Sequence, residues 1–356
     1  MTESDDGKPR AARRALRILA WIGGSLVVLI VAGVVFWNVS PWPSVWLLRS
    51  APDPAGLENA EAAARYVPDD IHADLDVVYD ETSPDGRLDV FRPDDAVAAL
   101  PVIFWVHGGA FIAGEKEPVR DYLRVLASHG FAVVNVEYTH APEATYPRPI
   151  VQVDEAIAHV VEHAAEFHAD LDRIVLAGDS AGAHIAAQAA MAIAQPDYAE
   201  EARLPAAVEP GRLVGTVLFS GPYDPTTVDY DNELFGFFMR TVMWSYSGTK
   251  DFLGDERFLY TALPQHVNAD YPPTFVSTGP ADPLLRQNEE WVAALTAAGV
   301  EVTPLFFDAA TTPDTVGHEY QLSLDTPEAK QAMVEQVAFL RGVTGAEERP
   351  GVSDTW

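Results

Sequence analysis

The chain has 356 residues, 48 % of them hydrophobic, and carries a formal net charge of −30 because 53 acidic residues outnumber 23 basic ones. Such a surface repels nucleic acid and anionic lipid headgroups, so we expect no nucleic-acid partner and a neutral or apolar substrate. The sequence contains no cysteine, which excludes disulfides and thiol chemistry.

Residues 18–37 form an uncharged, apolar stretch that is long enough to cross a membrane. At about 1.5 Å per residue it spans about 30 Å, the thickness of the hydrocarbon core of a bilayer. The residues that precede it include five basic ones: Lys8, Arg10, Arg13, Arg14 and Arg17. Because basic flanks stay in the cytoplasm, we expect a single-pass membrane protein with its N-terminus inside and its folded domain outside.

A cleaved signal peptide is the alternative interpretation of this stretch. The apolar core of a signal peptide is only about 7–15 residues long and is followed by small residues near the cut site. Here the core is longer and ends at Phe36-Trp37-Asn38, which favours an uncleaved signal-anchor.

The sequence predicts one folded domain between this anchor and a polar C-terminal tail. The predicted parts are a cytoplasmic basic tail at 1–17, a transmembrane signal-anchor at 18–37, a juxtamembrane linker at 38–60, a folded domain at 61–345 and a tail at 346–356.

Within the folded domain, strand-like and helix-like patterns alternate along the chain. After an edge hairpin, apolar runs typical of buried strands lie at 102–106, 132–136, 174–177, 214–220, 274–278 and 300–307. Helical patterns lie at 119–129, 151–168, 181–194, 288–298 and 327–342. This alternation predicts an α/β fold with a mostly parallel central sheet and helices on both faces.

Residues 223–265 interrupt the alternation with an aromatic segment. An insertion at this place in the chain can be a helical cap that covers a site and binds an apolar group. It can equally be a pair of helices packed onto the sheet. The two interpretations are compatible, and both stay open.

The pentapeptide Gly178-Asp179-Ser180-Ala181-Gly182 follows an apolar run and opens a helical pattern. It matches the G-x-S-x-G turn, which holds a serine hydroxyl between a strand and a helix N-terminus. The turn is tight, so side chains at the two glycine positions would collide with its surroundings. We therefore predict Ser180 as a nucleophile and the Ala181 amide as a donor to an oxyanion.

A second loop predicts further oxyanion donors. The apolar run at 101–106 leads directly into His107-Gly108-Gly109, and a glycine pair lets the backbone turn its amides toward a ligand. A tetrahedral intermediate carries its charge on oxygen, and losing one donor costs roughly 3–4 kcal/mol of transition-state stabilisation.

A nucleophilic serine needs a base and an orienting acid, which in this topology follow it in the order acid, then histidine. Asp282 ends the 274–278 strand pattern, and His318 lies on a loop after the last strand pattern. Asp308, Asp314 and Glu319 are nearer to His318 in sequence, and of these Asp308 is the main competitor for the acid. The chain-order pattern favours Asp282.

Two histidines four residues apart, His159 and His163, have the spacing of metal ligands on one helix face. No third ligand is in register with them, so we interpret them as a solvated face and predict no metal site.

Five motifs together resemble the hormone-sensitive-lipase-like branch of the α/β-hydrolases. In chain order they are His107-Gly108-Gly109-Ala110-Phe111, Tyr138-Thr139-His140-Ala141-Pro142-Glu143, Gly178-Asp179-Ser180-Ala181-Gly182, Asp282-Pro283-Leu284 and His318-Glu319-Tyr320. The resemblance implies the α/β-hydrolase fold and a carboxylesterase or lipase that uses no cofactor.

Carried over by this resemblance, Ser180 is the nucleophile, Asp282 the acid and His318 the base. The oxyanion hole is formed by the amides of Gly108, Gly109 and Ala181. The chain departs from the family pattern at two places. Ala110 stands where the third glycine is usual, and Thr139-His140 replaces the usual Arg-Leu.

These features predict a membrane-anchored serine hydrolase that cleaves small neutral or apolar carboxylic esters through an acyl-enzyme. An amidase, peptidase or deacetylase that acts on cell-envelope material with the same triad is the first alternative. A non-catalytic ligand-binding protein that has kept the fold is the second, because fold alone does not imply function.

Overall fold

The computed structural model describes residues 8–51 and 54–349, and the chain divides into two compact units at residue 51. The first few residues of the predicted basic tail and positions 350–356 of the predicted C-terminal tail lie outside the described residues.

The first unit is helical. Helix α1 covers Lys8–Val39 and is followed by the short helix α2, Trp42–Arg49. The segment Ala12–Val39 has a mean hydropathy of 2.6, and none of its most apolar window is buried. It is therefore long and apolar enough to cross a membrane. The predicted linker 38–60 is mostly helical, because it contains α2 and the start of the next helix.

The second unit is built on an eight-stranded sheet in the order β1-β2-β4-β3-β5-β6-β7-β8. Its strands are Ile71–Val78, Arg87–Pro93, Leu100–Val106, Ala132–Val136, Ala169–Asp179, Leu213–Phe219, Thr274–Thr278 and Val302–Phe306, labelled β1 to β8. Strands β1 and β2 pair antiparallel, and β2 also pairs antiparallel with β4. The remaining pairs are parallel, as the alternation of patterns predicts.

Helices cover this sheet. They are Pro54–Ala64, Arg120–Ser128, Arg148–Glu162, Ala181–Ala194, Pro196–Ala202, Phe235–Ser247, Leu285–Ala298 and Pro327–Thr344, labelled α3 to α10. Strand β4 is buried along its whole length and β3 along all but its first residue, which explains their continuous apolar sequences. Large buried side chains form one core cluster. Within it the rings of Trp105 and Phe219 are in contact, with their centroids 6.1 Å apart.

Helix α6 lies in the middle of this packing, directly after the serine turn. All of its residues are buried, and most are alanine, so the helix axis can approach the sheet closely. The serine at the start of α6 is thereby held by two rigid, buried elements.

The insertion at 223–265 contains one α-helix, α8, and four short 3₁₀ turns between β6 and β7. Its aromatic side chains pack on each other, and the Tyr246 ring also stacks on Phe111 of the loop after β3, with centroids 4.2 Å apart. The segment therefore contacts the glycine loop as an inserted cap would, although it holds one α-helix and not a helical pair.

Candidate active site

Ser180 lies on a sharp turn between β5 and α6. Its backbone has φ 51° and ψ −121°, a conformation that few non-glycine residues adopt. A Cβ at Gly182 would come within 2.0 Å of the Val106 carbonyl oxygen, and one at Gly178 within 2.5 Å of the same atom. Both positions therefore require glycine, as the turn motif predicts.

The structure brings the three predicted triad residues together. The Ser180 hydroxyl lies 2.9 Å from Nε2 of His318, and Nδ1 of His318 lies 2.9 Å from Oδ2 of Asp282. A carboxylate oxygen only accepts, so Nδ1 donates to Asp282 and Nε2 is left to accept from the serine. This tautomer is the one that a general base requires.

Asp282 is held by donors from its own loop. Thr278 donates its hydroxyl to Oδ2 at 2.5 Å, and the amide of Leu284 donates to Oδ1 at 2.7 Å. Burial alone would raise the pKa of Asp282, but the hydrogen bond and charge of His318 lower it below its ordinary value. The carboxylate therefore stays ionised beside the imidazole.

The side chain of His318 is partly buried, with 35 % of its surface exposed. Burial alone would lower the pKa of His318, but the hydrogen bond to Asp282 and the neighbouring carboxyl groups raise it to about 9. The imidazole is thus a stronger base than a free histidine.

The competing acids do not occupy this position. Asp308 is exposed, and its carboxylate accepts from the amide of Ala310 at 2.9 Å. Asp314 is also exposed. Glu319 borders the site on its other side, with Oε1 3.8 Å from Nε2 of His318.

The glycine loop after β3 has an unusual backbone. Gly109 has φ +122°, and a Cβ there would meet the Ala113 carbonyl oxygen at 1.9 Å. Ala110 and Phe111 also have positive φ, 54° and 61°. The loop therefore turns back on itself directly beside the serine turn.

The predicted oxyanion donors are not equivalent. The amide of Gly108 already donates to Oδ2 of Asp179 at 2.8 Å, so in this geometry it is not free for an oxyanion. Asp179 directly precedes Ser180 in sequence, and its carboxylate lies directly behind the glycine loop. For Gly109, Ala110 and Ala181, the structure shows no acceptor for the amide among the described residues.

His107 supports this loop from behind. Its Nδ1 lies 2.7 Å from the Gly108 carbonyl oxygen and its Nε2 lies 2.9 Å from Glu137, which also accepts from the amides of Lys116 and Tyr138. Both partners of the imidazole are acceptors, so it carries two protons. Burial would lower the pKa of His107, but Glu137 raises it.

This cluster also contains the donor types of a metal site. One ligand atom from each of His107, Glu137 and His140 lies within 4.8 Å of the others, a set of the kind that binds zinc. Here His107 and Glu137 use those atoms to pair with each other. The rings of His159 and His163 stack at 4.2 Å without a third ligand among the described residues.

An apolar pocket lies under the insertion. Its lining includes Phe111, His184, Met239, Met243, Tyr246 and Phe258. The free space between these side chains is about 10 Å³, about enough for one water molecule. His184 lines the pocket and connects α6 to the insertion, with Nε2 3.0 Å from the Thr261 carbonyl oxygen. Burial lowers the pKa of His184 to about 4, so it stays neutral.

The sequence analysis named Asp179 within the serine turn and Glu319 as a rival acid, but it did not predict that their carboxyl groups meet. Asp179 accepts from Trp105 Nε1 at 2.7 Å as well as from Gly108, and its carboxyl lies beside that of Glu319. The only sequence signal is that each residue is adjacent to a triad residue. Their pairing depends on how two distant loops meet.

Comparison with known proteins finds a family and several esterases that this chain resembles. A model of the α/β-hydrolase fold family matches residues 103–311. A probable carboxylic ester hydrolase of Mycobacterium tuberculosis, LipM, is 31 % identical over 60 % of this chain and 48 % of its own length. Esterase LipQ of the same organism is 30 % identical over 63 % of this chain and 53 % of its own length. The chain thus spans about half the length of these relatives.

Solved structures show the same fold. Esterase B from Lactobacillus rhamnosis superposes with a TM-score of 0.72 at 20 % identity, over 86 % of this chain and 95 % of its own. A thermostable esterase from Pseudomonas putida has a TM-score of 0.61 at 27 % identity, over 83 % and 91 %. The family model covers more than half of the chain, so the chain belongs to the α/β-hydrolase fold family, as its resemblance to the hormone-sensitive-lipase-like branch implied.

Proposed function

We propose that this chain is a serine carboxylesterase that cleaves carboxylic esters through an acyl-enzyme. The observation that carries the proposal is the pair of 2.9 Å hydrogen bonds that link Ser180 to His318 and His318 to Asp282. The names of the related esterases support the class of reaction.

In the first half-reaction, the Ser180 oxygen attacks the ester carbonyl while Nε2 of His318 takes its proton. Asp282 holds the imidazolium that results, and it stays ionised itself. The carbonyl oxygen becomes an oxyanion beside the amides of Gly109 and Ala181, which are oriented by the fold before the reaction begins.

The intermediate collapses when His318 returns the proton to the alcohol, which leaves. Water then attacks the acyl-enzyme with His318 as the base again, and the acid is released as Ser180 recovers its proton. No step needs a cofactor.

The small size of the pocket under the insertion favours substrates with small acyl groups. Its lining is apolar, and its free space of about 10 Å³ leaves little room for a chain unless the aromatic side chains move. The acidic surface favours neutral substrates over anionic ones.

We also propose that α1 anchors the protein in a membrane, with the N-terminus in the cytoplasm and the second unit outside. The exposed, apolar span Ala12–Val39 and the basic residues around its start support this. Protease added to intact cells should digest the second unit. Full protection of that unit would contradict the orientation.

Hydrolysis of nitrophenyl esters of increasing acyl length tests the activity. We expect cleavage that is greatest for the short acyl chains, and a matched nitroanilide series distinguishes an esterase from an amidase. Amide cleavage at rates equal to those of the esters would favour the amidase alternative. Absence of any hydrolysis would favour the non-catalytic one.

A further inference from the structure

A second pair of acidic side chains meets beside the triad. Asp179, which precedes Ser180, and Glu319, which follows His318, bring their carboxyl groups together beside Gly108. A Cβ at Gly108 would lie 2.4 Å from Glu319 Oε1 and 2.6 Å from Asp179 Oδ2, so both carboxyls press against this glycine.

Two carboxyl groups can form a hydrogen bond only if one of them carries a proton. Asp179 is buried, and the Glu319 side chain is 27 % exposed. Burial and the mutual repulsion of the two charges raise the pKa of Glu319 to about 8, and burial raises that of Asp179. The pair therefore keeps one proton near neutral pH.

The pair is held in place from several elements. Trp105 on β3 and the Gly108 amide both donate to Asp179. The Glu319 amide donates to the Ser220 hydroxyl at 3.2 Å, and Glu319 has a left-handed backbone with φ 54°. These contacts fix the carboxyl of Asp179 and the backbone of Glu319 before any substrate binds.

The other titratable groups that face the pair come from four loops. They are His318 and Asp282 of the triad, the doubly protonated His107 after β3, and Tyr138 after β4. Of these, His318 is the one whose function depends on its proton, and its Nε2 lies 3.8 Å from Glu319 Oε1.

We propose that Glu319 is a positioning residue that shares one proton with Asp179. The shared proton keeps Asp179 in place as the acceptor of the Gly108 amide, and it keeps a full negative charge away from Nε2 of His318. The proposal rests on the proposed serine-hydrolase function, because it assigns His318 as the base.

Loss of the shared proton changes the pKa of His318. A carboxylate 3.8 Å from Nε2 stabilises the imidazolium and leaves less neutral His318 at a given pH. A charge at this distance, in a partly solvated site, shifts a pKa by about one unit. It also adds a second negative charge near the position where the oxyanion develops.

The variant Glu319→Gln tests the proposal, because glutamine can donate to Asp179 but cannot ionise. Below about pH 8 the wild-type pair and the variant pair each carry one negative charge, so we expect the acidic limbs of their kcat/KM profiles to coincide there. Glu319→Ala cannot donate to Asp179 and should lower kcat/KM by about tenfold. Asp308→Asn removes an exposed carboxylate on a nearby loop and should leave the limb in place. An acidic limb that lies about one pH unit lower in Glu319→Gln than in the wild type would mean that Glu319 is ionised beside His318, and it would overturn the proposal.

Infrared difference spectroscopy of the wild-type protein gives a readout that needs neither activity nor the variant. We expect the carbonyl stretch of a protonated carboxyl at neutral pH, lost as the pH rises through about 8. A spectrum without that band would overturn the proposal. The serine-hydrolase function is tested separately with a fluorophosphonate probe: if Ser180 is not labelled, that function fails, whatever the infrared spectrum shows.

Discussion

Replacing the acid of the proposed triad, Asp282→Asn, should lower kcat by two to four decades. In the wild type, Oδ2 faces Nδ1 of His318 at 2.9 Å, and Oδ1 accepts from the Leu284 amide. The asparagine oxygen will keep the Leu284 amide, so its NH₂ group must face the imidazole. His318 then carries its proton on Nε2 and cannot accept one from Ser180.

The magnitude follows from the charge that is lost. Two unit charges 2.9 Å apart at an effective dielectric constant of about 20 attract by about 6 kcal/mol, which is about four decades in rate. His318 is 35 % exposed, so solvent screens part of this attraction, and we expect a loss between two and four decades.

Steady-state hydrolysis of nitrophenyl acetate measures this loss, with Asp308→Asn as the matched control. Asp308 is exposed and contacts its own loop, so its variant should keep nearly the wild-type rate. A loss below tenfold for Asp282→Asn, or a greater loss for Asp308→Asn, would refute the assignment of the acid.

Three further predictions concern the loop, the pocket and the base. Gly108→Ala places a Cβ against two carboxyl oxygens and should reduce kcat at least about 10²-fold, whereas Gly317→Ala, which meets no described atom within 4 Å, should change it little. Comparable rates for the two variants would contradict the packing. Tyr246→Phe removes a buried hydroxyl that has no partner among the described residues, so urea unfolding should show unchanged or up to about 1 kcal/mol greater stability; a clear loss would contradict this. The raised pKa of His318 means that its neutral form prevails only at higher pH, so kcat/KM should rise with pH to a midpoint above 6.5, and a lower midpoint would contradict the assignment.

Most of the fold could be predicted from the sequence because several of its strands, β3, β4 and β7 among them, are buried almost completely. In the sequence, such strands are continuous apolar runs, as β3 is, and few other secondary structures produce that pattern. The sequence predicts that β5 begins at 174, whereas the strand begins five residues earlier, at Ala169, because three of the four residues at 170–173 are charged and interrupt the apolar run. Tertiary pairing with β3 extends the strand there.

The catalytic geometry was predictable to the extent that local turns define it. The glycines of the serine turn form a recognisable local motif, although the contact that requires them is with the Val106 carbonyl oxygen on the neighbouring strand β3. The order of acid and histidine follows the topology. The oxyanion loop was less predictable, since the Gly108 amide is taken by Asp179 from another strand. A contact between two distant loops has no local sequence pattern.

Labelling with a fluorophosphonate probe, followed by intact-mass measurement, tests the central claim that Ser180 is an activated nucleophile. The wild type should gain the mass of one phosphonyl group, located by peptide mapping at Ser180. Ser180→Ala should remain unlabelled and lose about six decades in kcat. Labelling of Ser180→Ala at the wild-type rate, or a wild-type protein that does not react, would contradict the account.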